Sequence, residues 1–356
     1  MFNRILVPLD GSPLAERVIP HAEQFARIFG SEIILLQVLD PTSSNENPNP
    51  VDPLNWQIRK AEADMYMEEI AARMRANLGN KPGGGRDTEK YQARVQYAIR
   101  EGKTAENIVN FAHTENIDLL IISTHGAGGL SRWNISSITE KVINLSYLPI
   151  LVVRAHQPEI NAASIFYRRI LLPLDGSRRA ECSLPAGVAL AQGEISMGFP
   201  PEVNNLSVET STSGIPSTHS KLYLITVIKP PELPISYPYP IEIQQLVDQL
   251  MEVTRLVANQ YMNEMKARLS VQCETCVVEN NNISTAIQTL TNQKEDIDLV
   301  VMCAHGATGH STRPYGSVAR DYLEHGEKDV LVIQDLIRSK ITPSPSEISF
   351  EKHEGR

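Results

Sequence analysis

Cysteine is scarce in this chain, four in 356 residues, and that scarcity excludes a small scaffold held together by a disulfide framework. Aromatic residues make up only 6%, so the core must be built mainly from aliphatic side chains. Long apolar runs are missing too: none reaches the roughly 20 residues that cross a bilayer as a helix. The opening MFNRILVPLD lacks the basic and then apolar build of a secretory leader, and a cytoplasmic location is the expectation. Positive charge is also in deficit. A net charge of −9 gives no overall attraction to nucleic acid or to an anionic membrane, and neither is expected as a partner. Cys273 and Cys276 form one CxxC within VQCETCVVE, which alternates like a strand and has no second ligand pair. Strand thiols are expected there in preference to a redox pair or a metal site.

What the chain has in abundance is itself. LVPLDGS (6–12) returns as LLPLDGS (171–177), IDLLIISTHGAGG (117–129) as IDLVVMCAHGATG (297–309), and PILVV (149–153) as DVLVI (329–333). Three blocks in the same order mean one domain used twice. Each copy is of ordinary domain size and long enough for its own core, unlike the short units of a solenoid. The first domain is expected over 1–154, the second over 165–338, and a polar, disordered tail over 339–356.

In the first copy, strands are expected at 4–9, 33–38, 93–99, 118–123 and 150–153, and helices at 12–29, about 55–78, 104–114 and 137–145. The first helix opens on a Ser cap with Pro13 at its first position. The second carries Met67, Ile70, Ala71, Met74 and Leu78 on one face, and residues 81–88 form a Gly-rich turn before the third strand. In the second copy, strands are expected at 170–174, 222–227, 272–278, 299–303 and 330–333. A segment rich in Ser, Thr, Asn and Gly over 193–220 reads as a disordered insertion. KPPELPISYPYP (229–240) reads as a stiff connector to an amphipathic helix carrying Ile243, Leu246, Leu250, Val253, Val257 and Tyr261. Alternating strands and helices, with continuous apolar strands such as LLIIS, imply an α/β fold with a parallel sheet covered on both faces.

In such sheets ligands bind beyond the carboxyl ends of the strands, where the strand order reverses. Asp10 and Asp175 end the first strands, and the His-Gly loops follow the fourth. Glycines let a backbone take positive φ and approach a phosphate, and free N–H groups at a helix start favour an anion. Each feature alone fits a tight turn, with Ser12, Ser177, Ser137 and Ser317 as simple caps. Their joint occurrence on adjacent strand ends, twice, points to a nucleotide site. His125 and His305 have no acid or nucleophile placed beside them by the sequence, so backbone hydrogen bonding in a turn is expected of them rather than catalysis or metal binding.

LVPLDGS, REGKTAENIVNFA (100–112), IDLLIISTHG and PILVV resemble the universal stress protein family in its tandem form. The resemblance covers both halves apart from the inserted segments and the tail. It implies two Rossmann-like domains, each a five-stranded parallel sheet of order 3-2-1-4-5. In nucleotide-binding members of that family, the loop after the fourth strand reads G-x-x-G, nine residues, then G with Ser or Thr, and wraps the phosphates of ATP. The second copy matches at Gly306, Gly316 and Ser317 and departs at Cys303; the first keeps Gly126 and Ser137 but has Ser123 and Ser136 at the other glycine positions.

By that resemblance Asp175 lies near the adenosine, the backbone at Val227 meets the adenine edge, and Met302 and Cys303 form the floor. Gly306, Gly316, Ser317 and Val318 contact phosphate. The first-copy counterparts are Asp10, Val38, Ile122, Ser123, Gly126, Ser136, Ser137 and Ile138. Arg313 and Arg132 lie in the two loops, available to phosphate or to solvent. A serine forced to positive φ costs about 1 kcal/mol, so ATP is expected mainly in the second copy, with Mg²⁺ held by its phosphates.

The resemblance also makes the last strand a sheet edge, and ILVV and VLVI then invite the two copies to pair into an intrachain pseudo-dimer, with a further homodimer open. The expected function is a non-enzymatic, ATP-binding stress-response protein read by a protein partner, with little or no hydrolysis. The alternatives are a nucleotide-free scaffold on the same fold and an ATP-consuming enzyme.

Overall fold

The computed structural model describes residues 1–41, 53–79, 94–130, 135–156, 165, 167–196, 220–235, 237–294, 297–308 and 313–336. In the first half these form β1 (Arg4–Pro8), α1 (Pro13–Glu16), α2 (Ile19–Phe29), β2 (Glu32–Leu39), α3 (Pro53–Gly79) and β3 (Val95–Glu101), then α4 (Thr104–Thr114), β4 (Leu119–Ser123), α5 (Ser137–Leu145) and β5 (Ile150–Val153). The second half repeats the order. It runs through β6 (Arg169–Pro173), a 3-10 turn (Ala180–Ser183), α6 (Leu184–Ser196), β7 (Lys221–Ile228), α7 (Ile241–Arg268) and β8 (Cys273–Glu279), and ends with α8 (Ile283–Gln293), β9 (Leu299–Cys303), α9 (Ser317–His325) and β10 (Asp329–Ile333).

The strands make one ten-stranded sheet of order β3-β2-β1-β4-β5-β10-β9-β6-β7-β8. Each half has the expected order 3-2-1-4-5 and is parallel throughout. Because successive side chains of a strand point to opposite faces, each apolar strand feeds two cores. Ile5, Val7, Ile33, Leu35, Leu119 and Ile121 pack on one face, and Leu6, Ile34, Leu36, Leu120 and Ile122 on the other. Both clusters run on into the second half, through Leu331 on the first face and Val330 and Val332 on the second.

The halves join edge to edge. β5 and β10 pair antiparallel, with Val330 opposite Val152, Leu331 opposite Leu151 and Val332 opposite Ile150. Arg154 closes this seam from the buried side. Its Nη1 donates to the Leu323 carbonyl (2.8 Å), its Nη2 to that of Tyr322 (2.6 Å) and its Nε to that of Lys328 (3.2 Å). The first two are last-turn carbonyls of α9, where a cation is favoured by both hydrogen bonding and the helix dipole. The Arg154 backbone N–H donates to Asp329 Oδ1 at 2.8 Å. Burial pushes the guanidinium down to about 10, and the phenol of Tyr322 and the carboxylate of Asp329 oppose that shift. Above the sheet α2 meets α6 so closely that a Cβ on Gly193 would lie 2.6 Å from Ile28.

Three expectations need correction. The single helix expected at 12–29 is two pieces, α1 and α2, because Pro20 has no N–H to give the Glu16 carbonyl. Pro185 stands in the same relation to Glu181 where the 3-10 turn gives way to α6. The insertion starts later than 193: residues through Ser196 are helical, and Ser220 is buried again. Residues 197–219, the turn at 81–88 and the tail at 339–356 lie outside the described residues.

The third correction concerns α7. It carries two apolar stripes, and the one against the sheet is Met251, Ala258, Met262 and Met265. Leu246, Leu250, Val253 and Val257 are more than half exposed, while Ile243 and Tyr261 are half-buried. By contrast, Met67, Ile70, Ala71, Met74 and Leu78 of α3 are all buried as expected.

Removing the Arg154 side chain would take its donors from the buried Leu323 carbonyl and the part-buried Lys328 carbonyl, and leave the Tyr322 carbonyl with the Gly326 N–H alone. Arg154→Ala is expected to lower the free energy of urea unfolding by roughly 2–4 kcal/mol. A loss below about 0.5 kcal/mol, the usual range of surface substitutions, would contradict the role given to Arg154.

Candidate functional site

At the carboxyl end of β6 the chain turns through Leu174, Asp175 and Gly176, and Gly176 holds φ +80°. The Asp175 carboxylate is used on both sides. Oδ1 accepts from the Ser177 N–H (3.0 Å) and hydroxyl (2.6 Å), and Oδ2 accepts from the Ala307 N–H (2.7 Å) in the loop after β9. The first half repeats the arrangement. Asp10 Oδ1 accepts from Ser12 N (3.0 Å) and Oγ (2.6 Å), and Oδ2 from Ala127 N (2.8 Å). Each aspartate therefore ties the loop after its first strand to the loop after its fourth.

This bond explains the glycine of the His-Gly loop. A Cβ on Gly306 would lie 2.2 Å from Asp175 Oδ2, and one on Gly126 would lie 1.9 Å from Asp10 Oδ2. Neither glycine has positive φ. The chain needs glycine there because the carboxylate occupies the space, not because the backbone turns left-handed.

The helix starts need a similar correction. Gly316 is the N-cap of α9 with φ −68° and ψ 170°, and Ser136 is the N-cap of α5 with φ −64° and ψ 152°. Serine at this position carries no backbone strain, so the expected positive-φ penalty does not arise. The difference between the copies lies instead in the caps. Ser136 Oγ accepts from the Thr139 N–H at 3.1 Å, so α5 caps itself. α9 has no side-chain cap, so its first-turn N–H groups lack the partner that a capping hydroxyl would give them.

The start of α9 faces an open cleft of about 780 Å³, its mouth included. Asp175, Val227, Met302, Cys303, Gly306, Gly316, Ser317 and Val318, singled out in the sequence, all line it. The apolar side is extended by Ile283 and Ile287, which the sequence reading did not single out; they lie one turn apart on α8, a spacing that could have been read. In the first half, Asp10, Val38, Ile122, Ser123, Gly126, Ser136, Ser137 and Ile138 occupy the matching strand ends and helix start, with Ile122 and Ser123 buried and Ile138 exposed. Arg313 is exposed at the second loop, and Arg132 lies outside the described residues.

The second loop is held by a network of His305, Asp335 and Arg179, and the sequence of the first half lacks both the acid and the arginine at the matching positions. His305 Nδ1 meets Asp335 Oδ1 at 2.7 Å, and its Nε2 meets the Arg313 carbonyl at 3.0 Å. Both ring nitrogens therefore face an oxygen acceptor. The ring is thus engaged in holding the loop: the backbone partner expected of it is the Arg313 carbonyl, while the Asp335 carboxylate is an acid that the sequence had not placed beside it. Arg179 Nε donates to Asp335 Oδ2 at 2.6 Å. Burial raises the Asp335 carboxyl, but the hydrogen bonds from His305 and Arg179 outweigh it and hold the group below the ordinary carboxylate range. In the first half Leu14 and Ala155 stand where Arg179 and Asp335 would be, and His125 Nδ1 meets Thr124 Oγ1 at 3.1 Å. Asp335 lies 30 residues beyond His305, and no sequence pattern announced it. Among the described residues, no cluster of His, Cys, Asp and Glu is arranged to hold a metal ion, and no helix is long and apolar enough to cross a membrane.

Fold and cleft together define a tandem α/β protein: two copies of one doubly wound domain, joined by their last strands, with strand-end loops tied by an aspartate. The sequence pattern of the universal stress protein family matches residues 1–154 and 217–334. The chain belongs to the universal stress protein family. Single-domain relatives match about half of it. Universal stress protein MJ0577 of Methanocaldococcus jannaschii is 28% identical over 159 residues, 43% of this chain and 96% of its own. Universal stress protein YxiE of Bacillus subtilis is 27% identical over 163 residues, 43% of this chain and all of its own. The tandem architecture recurs in a universal stress protein of Archaeoglobus fulgidus, whose crystal structure aligns over 93% of this chain and 96% of its own with TM-score 0.56 at 14% identity, a likeness of fold alone. β6 lies before the second matched segment, yet it pairs with β7 and β9 and completes the second half of the sheet.

Two outcomes test the site as built. Gly306→Ala is expected to cost roughly 1–3 kcal/mol by overpacking against Asp175, and much less in an Asp175→Ala background. Equal costs in both backgrounds, measured by urea unfolding, would contradict the steric account. Asp335, depressed in the folded state, adds stability that is present above its unfolded value and is lost as pH falls through the folded one. The stability gap between the parent and Asp335→Asn should be full at pH 7 and shrink as the pH drops below about 4. A pH-independent gap would contradict the charge-based role.

Proposed function

We propose that this chain is an ATP-binding stress-response protein whose second half holds the nucleotide. The observation that carries the reading is the start of α9. It has no side-chain cap and opens on a cleft that Ile225, Val227, Ile283, Ile287 and Met302 line on one side, which suits an anionic phosphate at the N–H groups and a flat base against aliphatic side chains. Gly306, Gly316, Ser317 and Val318 would hold the phosphate end, with Arg313 beside them. Val227, Met302 and Cys303 would line the base and sugar end, with Asp175 near the ribose. Mg²⁺ would come with the phosphates.

The first half is the weaker binder on this reading, because Ser136 already spends its hydroxyl on the Thr139 N–H. No side chain at the cleft is assigned a catalytic role. The bound nucleotide would instead set the shape of a surface read by a protein partner in the cytoplasm, with hydrolysis slow or absent.

Calorimetry with ATP and Mg²⁺ is expected to show one principal site. Gly316→Val should abolish binding. Gly316→Ser, which copies the cap that the first half already tolerates, should weaken it about ten-fold, or 1.4 kcal/mol. Full affinity in both variants would overturn the assignment of the phosphate end to α9. Absence of binding to the parent chain would favour a nucleotide-free scaffold, and sustained turnover of order 1 s⁻¹ would favour an enzyme.

A further inference from the structure

The four thiols are not equivalent. Cys273 and Cys276, the CxxC of the sequence, lie on one strand with Cys273 buried and Cys276 exposed on the opposite face. Three strand residues span about 10 Å, beyond the roughly 7 Å that a disulfide can bridge between Cα atoms. The other two cysteines are 121 residues apart in sequence, yet their Sγ atoms share a hydrogen bond at 3.0 Å. Cys182 sits in the 3-10 turn before α6, half-buried, and Cys303 is the last residue of β9, buried and lining the cleft.

We propose that Cys182 and Cys303 form a reversible disulfide in the wall of the second cleft, made by hydroperoxide and undone by a dithiol reductant. Closing from 3.0 Å to the bonded distance of about 2.05 Å requires a shift of roughly 1 Å. The two sulfurs also divide the chemistry. The hydrogen bond between the two lowers the Cys182 thiol below its usual range against the opposing effect of burial, with Asp335 also opposing and Arg179 assisting. The same hydrogen bond, together with burial, pushes the Cys303 thiol up.

Cys182, half-buried where Cys303 is buried, is the thiol a small peroxide can reach, and it acts as the attacking thiolate. Its sulfur takes one peroxide oxygen, the O–O bond breaks, and the other oxygen leaves as water after protonation, giving a sulfenic acid on Cys182. Cys303 sulfur then attacks Cys182 sulfur and the S–O bond breaks. The departing hydroxide takes the Cys303 proton and leaves as water. Two thiols and one hydrogen peroxide become one disulfide and two waters.

The first half has Arg17 and Ser123 at the corresponding positions, so the pair is dispensable to the fold and belongs to the second cleft alone. The cross-link would tie the start of α6 to the end of β9, two residues before His305.

The test is independent of nucleotide. The reduced, folded chain is treated with equimolar hydrogen peroxide, alkylated, and mapped by mass spectrometry with and without a reductant. Two of the four thiols should escape alkylation, and the peptides carrying Cys182 and Cys303 should run as one species that reductant separates. In Cys303→Ser, a sulfenic acid trapped by dimedone should appear at Cys182; Ser123 shows that the strand end accepts serine. Four alkylated thiols after peroxide, cross-linking of any other pair, or a Cys303→Ser variant with no dimedone adduct at Cys182 would overturn the proposal.

Discussion

A carboxylate shared between two loops sets the architecture of each cleft. In both halves an aspartate at the end of the first strand accepts from its own turn with one oxygen and from the loop after the fourth strand with the other. Charge-assisted hydrogen bonds of this kind are stronger than neutral ones. Here they fix the two loops that flank the point where strand order reverses. The glycine beside the histidine follows from the same bond, since any side chain would displace the carboxylate. Repetition of PLDGS and HGA in one chain is thus the repetition of one hydrogen-bonded junction.

Around that junction the sheet does the positioning. Its parallel strands are apolar on both faces and need helices on both sides, and their carboxyl ends leave the loops free for binding. The last strand of each half would be an exposed aliphatic edge, a template for unwanted pairing. Antiparallel pairing of β5 with β10 removes both edges at once, and Arg154 satisfies the C-terminal carbonyls of α9 from the other half. The seam therefore reaches the helix whose start opens on the second cleft. That helix is anchored at its far end by the first half and left uncapped at the end that faces the cleft.

The repeat and the order of elements were legible in the sequence, because apolar periodicity and loop motifs are local signals; the strand order and the eight second-copy residues that line one cleft followed from the resemblance to the universal stress protein family. What was misread was conformational or rotational. Glycine was taken to mark positive φ, whereas Gly306 is pressed against Asp175 and Gly316 has the same extended backbone as Ser136. On α7 two apolar stripes compete, and periodicity alone does not say which meets the sheet. Pro20 splits a helix by withholding one N–H, a local signal that was present and unread. Asp335, and the approach of Cys182 to Cys303, are contacts between distant segments that no spacing rule encodes.

The two halves share a fold and differ in the chemistry at the end of the fourth strand: a self-capped helix start and a serine in one, an open helix start, a thiol pair and an Arg-Asp-His network in the other. That asymmetry is the basis for placing the nucleotide in the second half. The most direct test is to purify the chain without added nucleotide, denature it, and quantify any released small molecule by mass spectrometry. The account predicts about one ATP per chain. Two per chain, or none together with no uptake of added ATP and Mg²⁺, would contradict it.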